Sequence, residues 1–346
     1  MQAATEVPGS DEDLLILIPV FNDWAALGRL LVALDRVLDE HGLPASVLVV
    51  DDGSTDDRDL IAPAAPFRAL RRVDVLELRR NLGHQRAIAI GLAYAEANEA
   101  CRALVVMDSD GEDDPRDVPR LFARYRAEGG EKIVFAERTR RSESRLFRVF
   151  YALYKVMHRL LTGFGVRVGN FSIIPRRRLA SLVVVSELWN HYAAAAFKSR
   201  QPYCTIPTVR ARRLHGRSTM NFVGLVAHGL SAISVYSETV GVRLLVVALL
   251  MALLALAGLA GVVAVRLATS WAIPGWATTV AGLLLILLSQ AVMLAFLFSF
   301  LVLGGRNGPG FIPCRDYHFY INKISKNGLY ATGGTGLRPA AADVGV

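Results

Sequence analysis

Cysteine is scarce in this chain of 346 residues: only Cys101, Cys204 and Cys314 occur, with no CxxC pair and no histidine at ligand spacing beside them. A zinc ribbon and a disulfide framework are thereby excluded, and a reducing compartment is expected. Glycine is missing where a dinucleotide-binding fold needs it. GxGxxG should follow the first strand-like run, but that position reads PVFND (19–23), so nothing lets an NAD pyrophosphate approach the backbone. The GxxxxGK[ST] pattern of nucleotide hydrolases is missing as well. At the start, MQAATEVPGSDEDLL carries acids and no cationic stretch, which argues against a signal peptide and leaves 1–13 as a flexible N-terminus. No recognition-helix, zinc-finger or aromatic RNA-binding pattern occurs, so nucleic acid is not an expected partner.

Charge is absent from two long stretches. Leu244–Val265 has none, and after Arg266 a second uncharged run extends from Leu267 to Gly305. Each exceeds the roughly 20 apolar residues that cross a bilayer. Two transmembrane helices are expected, over 242–265 and 277–303. Arg243 precedes the first span, Arg306, Arg315, Lys323 and Lys326 follow the second, and only Arg266 lies between. Positive-inside counting therefore predicts an integral membrane protein with its soluble domain and both termini in the cytoplasm, 304–346 forming a cytoplasmic tail. Trp271 and Trp276 read as interfacial anchors.

What charge there is divides unevenly. Residues 1–60 hold 13 acids against three Arg, whereas 137–217 hold 17 Lys and Arg against three acids. A basic stretch beside membrane spans suits phosphates or anionic headgroups. Segments 143–164 and 219–241 mix aromatic and aliphatic residues with few acids, as helices lying in the membrane interface do.

Over 14–138, strand-like runs alternate with helical ones, which predicts a doubly wound α/β sheet. Strands are expected at 14–20, 46–53, 73–80, 103–110 and 132–138, and helices at 24–42, 85–100 and 117–129. Four of the strands run into polar or ionisable clusters: Pro19–Asp23, Asp51–Asp56, Asp108–Asp114 and Glu137–Arg141. In an open parallel sheet those ends gather along one edge, where ligands bind. Asp108 and Asp110, one residue apart at a strand's end, can grip a divalent cation that neutralises a diphosphate.

At PVFND (19–23), VVDDGSTD (49–56), RNLGHQRAIAIG (80–91) and MDSDGEDDP (107–115), the chain resembles the inverting family 2 glycosyltransferases of A-type fold, within them the membrane-bound polyprenyl-phosphate transferases related to dolichol-phosphate mannose synthase. The resemblance spans roughly 14–303 and implies a Rossmann-like GT-A domain over 14–218, then interfacial and transmembrane helices. It implies a nucleotide-sugar donor whose base and ribose meet Pro19, Val20, Asp51 and Asp52, with Asn81 and Gly83 at the border. Asp108 and Asp110 would hold Mg²⁺ or Mn²⁺ against the diphosphate, with Asp110 counted as catalytic. Arg138 and Arg141 match a phosphate-binding arginine pair of the family, and the acceptor phosphate would meet Arg213, Arg217 and Asn170.

Departures from the family concern the acceptor. Gly111-Glu112-Asp113-Asp114-Pro115-Arg116 keeps only part of the usual LQDPPE, Asn170 stands where an Asp has been viewed as a base, and Arg217 replaces a lysine. A lipid phosphate oxygen is already anionic and needs no base; a sugar hydroxyl does. Single-sugar transfer to a polyprenyl phosphate is the leading reading. Transfer to a hydroxyl of a glycolipid or envelope glycan is the second, with Glu187 as base, and a non-catalytic sugar-nucleotide sensor or scaffold is the third. His84, His191 and His215 read as packed or solvated, and a homo-oligomer is compatible with the sequence.

Overall fold

The computed structural model describes residues 14–56, 66–138, 156–163, 168–215, 229–269, 275–307 and 310–327. Its centre is β1 (Leu14–Val20), buried at all seven positions, as a strand covered on both faces must be. Parallel to it run β2 (Ala45–Asp51) and β4 (Ala103–Val106), and β3 (Leu70–Leu78) pairs parallel with β2. Beyond β4 come β6 (Val168–Pro175), β5 (Ile133–Arg138) and β7 (Tyr203–Thr208); β8 (Ile321–Ser325) closes the opposite edge. The order is β7-β5-β6-β4-β1-β2-β3-β8.

The expected doubly wound α/β sheet is present, and two of its strands, β6 and β8, are antiparallel to their neighbours. Both lie beyond the alternating strand and helix pattern, and β8 belongs to the segment read as a tail. Its strand form comes from pairing with the exposed edge of β3, a long-range contact with no local signature.

Helices pack on both faces. α1 (Trp24–Glu40) repeats apolar residues at helical spacing and buries Trp24, Leu27, Leu30, Leu31, Leu34 and Leu38 against one face, beside α3 (Asp117–Ala127). On the other face α2 (His84–Asn98) is buried along most of its length, with α4 (Arg176–Leu182) and α5 (Tyr192–Lys198) beside it.

The two uncharged runs lie within α6 (Ser237–Ala268) and α7 (Trp276–Asn307). Both are long and apolar enough to cross a membrane, and only 17% and 11% of their most apolar windows are buried. A hairpin in a soluble core would be covered; this one presents most of its apolar surface outward. Where the helices meet, Gly241, Ala248, Ala255 and Val262 of α6 recur every seventh residue and are buried, with Val302 of α7 against Gly241 and Ala291 and Ala295 of α7 buried as well.

Both ends of the hairpin return to the sheet. Before α6, the Tyr236 hydroxyl donates to the Ala194 carbonyl (3.4 Å). After α7, Phe311 and Tyr320 pack on Trp189, with centroids 3.8 and 5.1 Å away. The Asn327 amide then donates to Asp74 (2.9 Å), and Lys326 lies 3.5 Å from Asp74 and 3.6 Å from Glu99. Of the interfacial helix expected at 143–164, residues 156–162 are described and helical, with Val156, Met157 and Leu160 exposed. Arg243, in the second turn of α6, donates to the Leu160 carbonyl (2.7 Å).

Candidate active site

The carboxyl ends of β1, β2, β4 and β5 share one edge of the sheet, and the amino end of antiparallel β6 joins them there. At the β1 end, Pro19 and Val20 are buried while Phe21 is exposed. Asn22 then adopts a left-handed conformation (φ 50°). Its carboxamide oxygen accepts from the Thr55 and Asp56 amides (2.8 and 3.3 Å), tying this loop to the one after β2.

Asp51 and Asp52 are both buried, and both organise backbone. Asp51 accepts from the Ser54 amide (2.9 Å). Asp52 accepts from the amides of Leu82 (2.7 Å) and Gly83 (2.8 Å) at the entrance to α2. Burial raises Asp52 above the ordinary carboxylate range despite those two bonds. Gly53 is required between these loops: its φ is +71°, and a Cβ there would stand 2.7 Å from Arg80 C and Asn81 N.

The Asp-x-Asp turn follows β4. Asp108 Oδ1 is buried, lies at ion-pair distance (3.1 Å) from His84 Nε2 and accepts no hydrogen bond. His84 Nε2 is also 2.9 Å from the Asn170 carboxamide nitrogen, and Gln85 donates to the Asn170 oxygen (3.2 Å). Asp113 Oδ2 accepts from the Asp108 amide (3.2 Å), and Arg138 donates to Asp113 Oδ1 (3.1 Å).

Electrostatics separate these acids. Burial would push Asp108 up, but His84, Arg138 and Asn170 more than offset it and hold it at about 2. Burial and the Asp108 charge push Asp113 up to about 7. Burial alone would lower His84, yet Asp108, with Asp110 and Asp113 behind it, raises the imidazole above its ordinary value. Asp110 is raised by burial and by Asp108, with Arg213 opposing.

Residues 210–215 cross over this turn. The Leu214 amide donates to the Asp110 carbonyl and the Ala211 amide to the Glu112 carbonyl, both at 3.0 Å. Leu214 occupies the space a side chain at Gly111 would need, where φ is +78°. Arg210 pairs with Glu112, and Arg213 bridges Asp23 Oδ2 (2.5 Å) and Asp110 Oδ2 (3.3 Å). Arg213, expected beside the acceptor phosphate, has its guanidinium between the acids of two loops.

Among the described residues no group of three His, Cys, Asp or Glu side chains could hold a metal ion. Two carboxylates still suit Mg²⁺ or Mn²⁺, which keep waters and take remaining ligands from substrate phosphates. The fit here rests on a buried Asp108 oxygen that accepts no hydrogen bond and on Asp110, whose carboxylate already attracts a cation.

Glu187 belongs to a different cluster. It lies on a short 3-10 helix (Ser186–Trp189), accepting from Lys198 Nζ (2.5 Å) and the Ser186 hydroxyl (3.2 Å). Lys198 also donates to the Val235 carbonyl (2.8 Å), just before α6. Burial would raise Glu187, but the Lys198 bond and charge, with a backbone hydrogen bond and the Ser186 hydroxyl, together outweigh it and keep the carboxyl below its ordinary value, which makes a weak base.

Asp108, Asp110, Arg138, Asn170 and Arg213 thus gather at one edge, with Asp51, Asp52, Asn81 and Gly83 along the neighbouring loops. Arg141 and Arg217 lie outside the described residues, as do 219–228 and Trp271. Four residues of the cluster, Asp23, His84, Gln85 and Asp113, were given no role from sequence. His84 read as a packed or solvated side chain and instead faces Asp108 and Asn170. Its position at the first turn of α2, after a strand on the acid-lined edge, was the available signal. His191 caps α5, its Nδ1 accepting from the Ala194 amide (3.4 Å).

A mixed sheet whose acid-lined edge is roofed by a basic strap defines a GT-A-like α/β domain, with two long apolar helices appended. The model of Glycosyl transferase family 2 matches residues 15–180, and those residues form a domain of that family. Similar curated proteins include "Uncharacterized glycosyltransferase YkcC" of Bacillus subtilis, 29% identical over 174 residues (47% of this chain, 49% of that one). An undecaprenyl-phosphate 4-deoxy-4-formamido-L-arabinose transferase of Klebsiella pneumoniae is 27% identical over 224 residues, 61% of this chain and 63% of that one. The chain therefore spans about half of the first relative and less than two thirds of the second. Among solved structures, glucosyl-3-phosphoglycerate synthase from Mycobacterium tuberculosis, in complex with Mn²⁺, UDP-glucose and phosphoglyceric acid, covers 67% of this chain and 81% of its own length. It is 17% identical with a TM-score of 0.48.

Proposed function

We propose that this chain transfers a single sugar, with inversion, from a nucleotide-sugar donor to a polyprenyl phosphate at the cytoplasmic face of a membrane. The observation that carries the reading is the joining of Asp108, Asp110, Arg138, His84, Asn170 and Arg213 into one site on a sheet tied at both ends to an apolar hairpin. The undecaprenyl-phosphate transferases among the relatives support a lipid phosphate acceptor.

In this reading the loops after β1 and β2, with the Asn81–Gly83 turn, seat the base and ribose. Asp108 and Asp110 would hold Mg²⁺ or Mn²⁺, which would offset the charge of the departing diphosphate. Arg138 balances Asp113 and stays within reach of phosphate oxygens, while His84 keeps Asp108 ionised. Arg213 exchanges its carboxylate partners for the acceptor phosphate, with Arg141 and Arg217 assisting. That phosphate oxygen is anionic at neutral pH, so Asn170 need only donate a hydrogen bond and no base is required. Transfer to a hydroxyl ranks second because Glu187 is engaged by Lys198 and held below its ordinary value.

The test offers the full chain, in vesicles, a panel of radiolabelled nucleotide sugars with undecaprenyl phosphate. One donor should yield a lipid-linked monosaccharide, and Asp110→Asn should abolish it. Transfer only to hydroxyl acceptors, or undiminished turnover by Asp110→Asn, refutes the proposal.

A further inference from the structure

Gln290 stands at the midpoint of the apolar stretch Trp276–Gly304 of α7. It is exposed, and its carboxamide has no hydrogen-bond partner among the described residues. A carboxamide facing hydrocarbon at that depth is costly unless another polar group meets it.

Its surroundings have a regular spacing. Leu283, Leu287, Gln290, Leu294, Leu297 and Leu301 follow one another at intervals of four and three residues, the heptad spacing of a coiled-coil seam. All six are exposed, the five leucines between 37% and 63%. α7 already uses a different seam against α6: Leu284, Ala291, Ala295, Phe298 and Val302, each one residue further along and so turned by about 100°. A helix with two adjacent seams is built for more than one helical neighbour, and the hairpin supplies only one.

We propose that the outer seam of α7 docks against α7 of a second copy of this chain, with the two Gln290 carboxamides hydrogen-bonded to each other. A second copy is the occupant the geometry favours because every copy enters the bilayer with the same topology. Two α7 helices then run parallel, and their Gln290 residues meet at the same depth across a two-fold axis. Each carboxamide carries both donors and an acceptor, so a symmetric pair satisfies itself. A single polar residue in an otherwise leucine seam also sets the register. The inference rests on α7 lying in the bilayer and not on the identity of donor or acceptor.

The experiment uses the full chain, with Cys101, Cys204 and Cys314 replaced by Ser, in lipid vesicles at high lipid dilution. Under mild oxidation, Leu287→Cys and Leu294→Cys should give disulfide-linked dimers, whereas Leu285→Cys and Phe296→Cys, exposed on another face, should not. Gln290→Leu should weaken the association about fivefold, and Gln290→Asn should largely preserve it. Equal cross-linking at all four positions, no cross-linking at the seam positions, or no effect of Gln290→Leu overturns the proposal. So does single-step photobleaching of labelled chains, which would leave the seam to lipid or to a different protein.

Discussion

Arg213 and a divalent cation should compete for the same carboxylate. The proposed chemistry needs Asp110 to bear the metal, yet in this structure Arg213 holds Asp110 and Asp23 together. Arg213→Met removes the charge and keeps most of the apolar stem. With Nη1 and Oδ2 3.3 Å apart, a pair of unit charges at an effective dielectric near 20 attracts by about 5 kcal/mol. Desolvation offsets most of this, since the two side chains are only 20% and 19% exposed. A net bond of about 1.5–3 kcal/mol remains, as is usual for hydrogen bonds to charged groups. Removing it should tighten Mn²⁺ binding by about 10- to 150-fold. Electron paramagnetic resonance of the full chain with Mn²⁺ and no nucleotide reads this directly. In the same variant, sugar transfer should fall at least tenfold, roughly one charge-assisted phosphate contact. Tighter metal with slower transfer is the combination that the competing roles require. Unchanged or weaker Mn²⁺ binding would refute the reasoning, because Arg213 would then not be occupying the cation's place.

Three further outcomes are expected. Gly53→Ala forces a side chain into a left-handed backbone 2.7 Å from the Arg80–Asn81 peptide. It should cost about 1–3 kcal/mol, lowering the melting temperature and weakening donor binding together; a stable variant with normal donor affinity would count against the loop assignment. Glu187→Gln should leave transfer to polyprenyl phosphate intact while costing about 1 kcal/mol of stability. A carboxyl held below its ordinary 4.5 stabilises the fold fully above that value and loses this contribution as pH falls through the lowered one. The stability gap between wild type and Glu187→Gln should therefore be constant near neutrality and close below about pH 4.5; transfer that vanishes in the variant would restore Glu187 as a base. Asp74→Asn weakens the charge cluster with Arg72 and Lys326. Hydrogen exchange at 321–327 should then speed up, and equal protection would show that β8 is held by its ladder alone.

Much of the edge where the site lies was legible because strand ends in a parallel arrangement must coincide. Acids after 14–20, 46–53 and 103–110 could be aligned without knowing any contact, and the uncharged runs announced the hairpin by length alone. Other features carried no local mark. β6 reads like any short apolar run, yet its antiparallel insertion between β4 and β5 is what places Asn170 against His84 and Asp108. Asp113 looked like one acid among several until burial beside Arg138 set it apart.

The sequence by itself determined the α/β alternation, the acid pair and the two apolar helices, since periodicity, strand-end chemistry and charge-free length are properties of neighbouring residues. Only the tertiary structure decided which charges meet. Arg213 reaches Asp23 and Asp110 across about 190 and 100 residues of chain, and Glu187 is claimed by Lys198 and not by the acid-lined edge. Electrostatic partnership depends on distance and burial in space, and a linear pattern records neither.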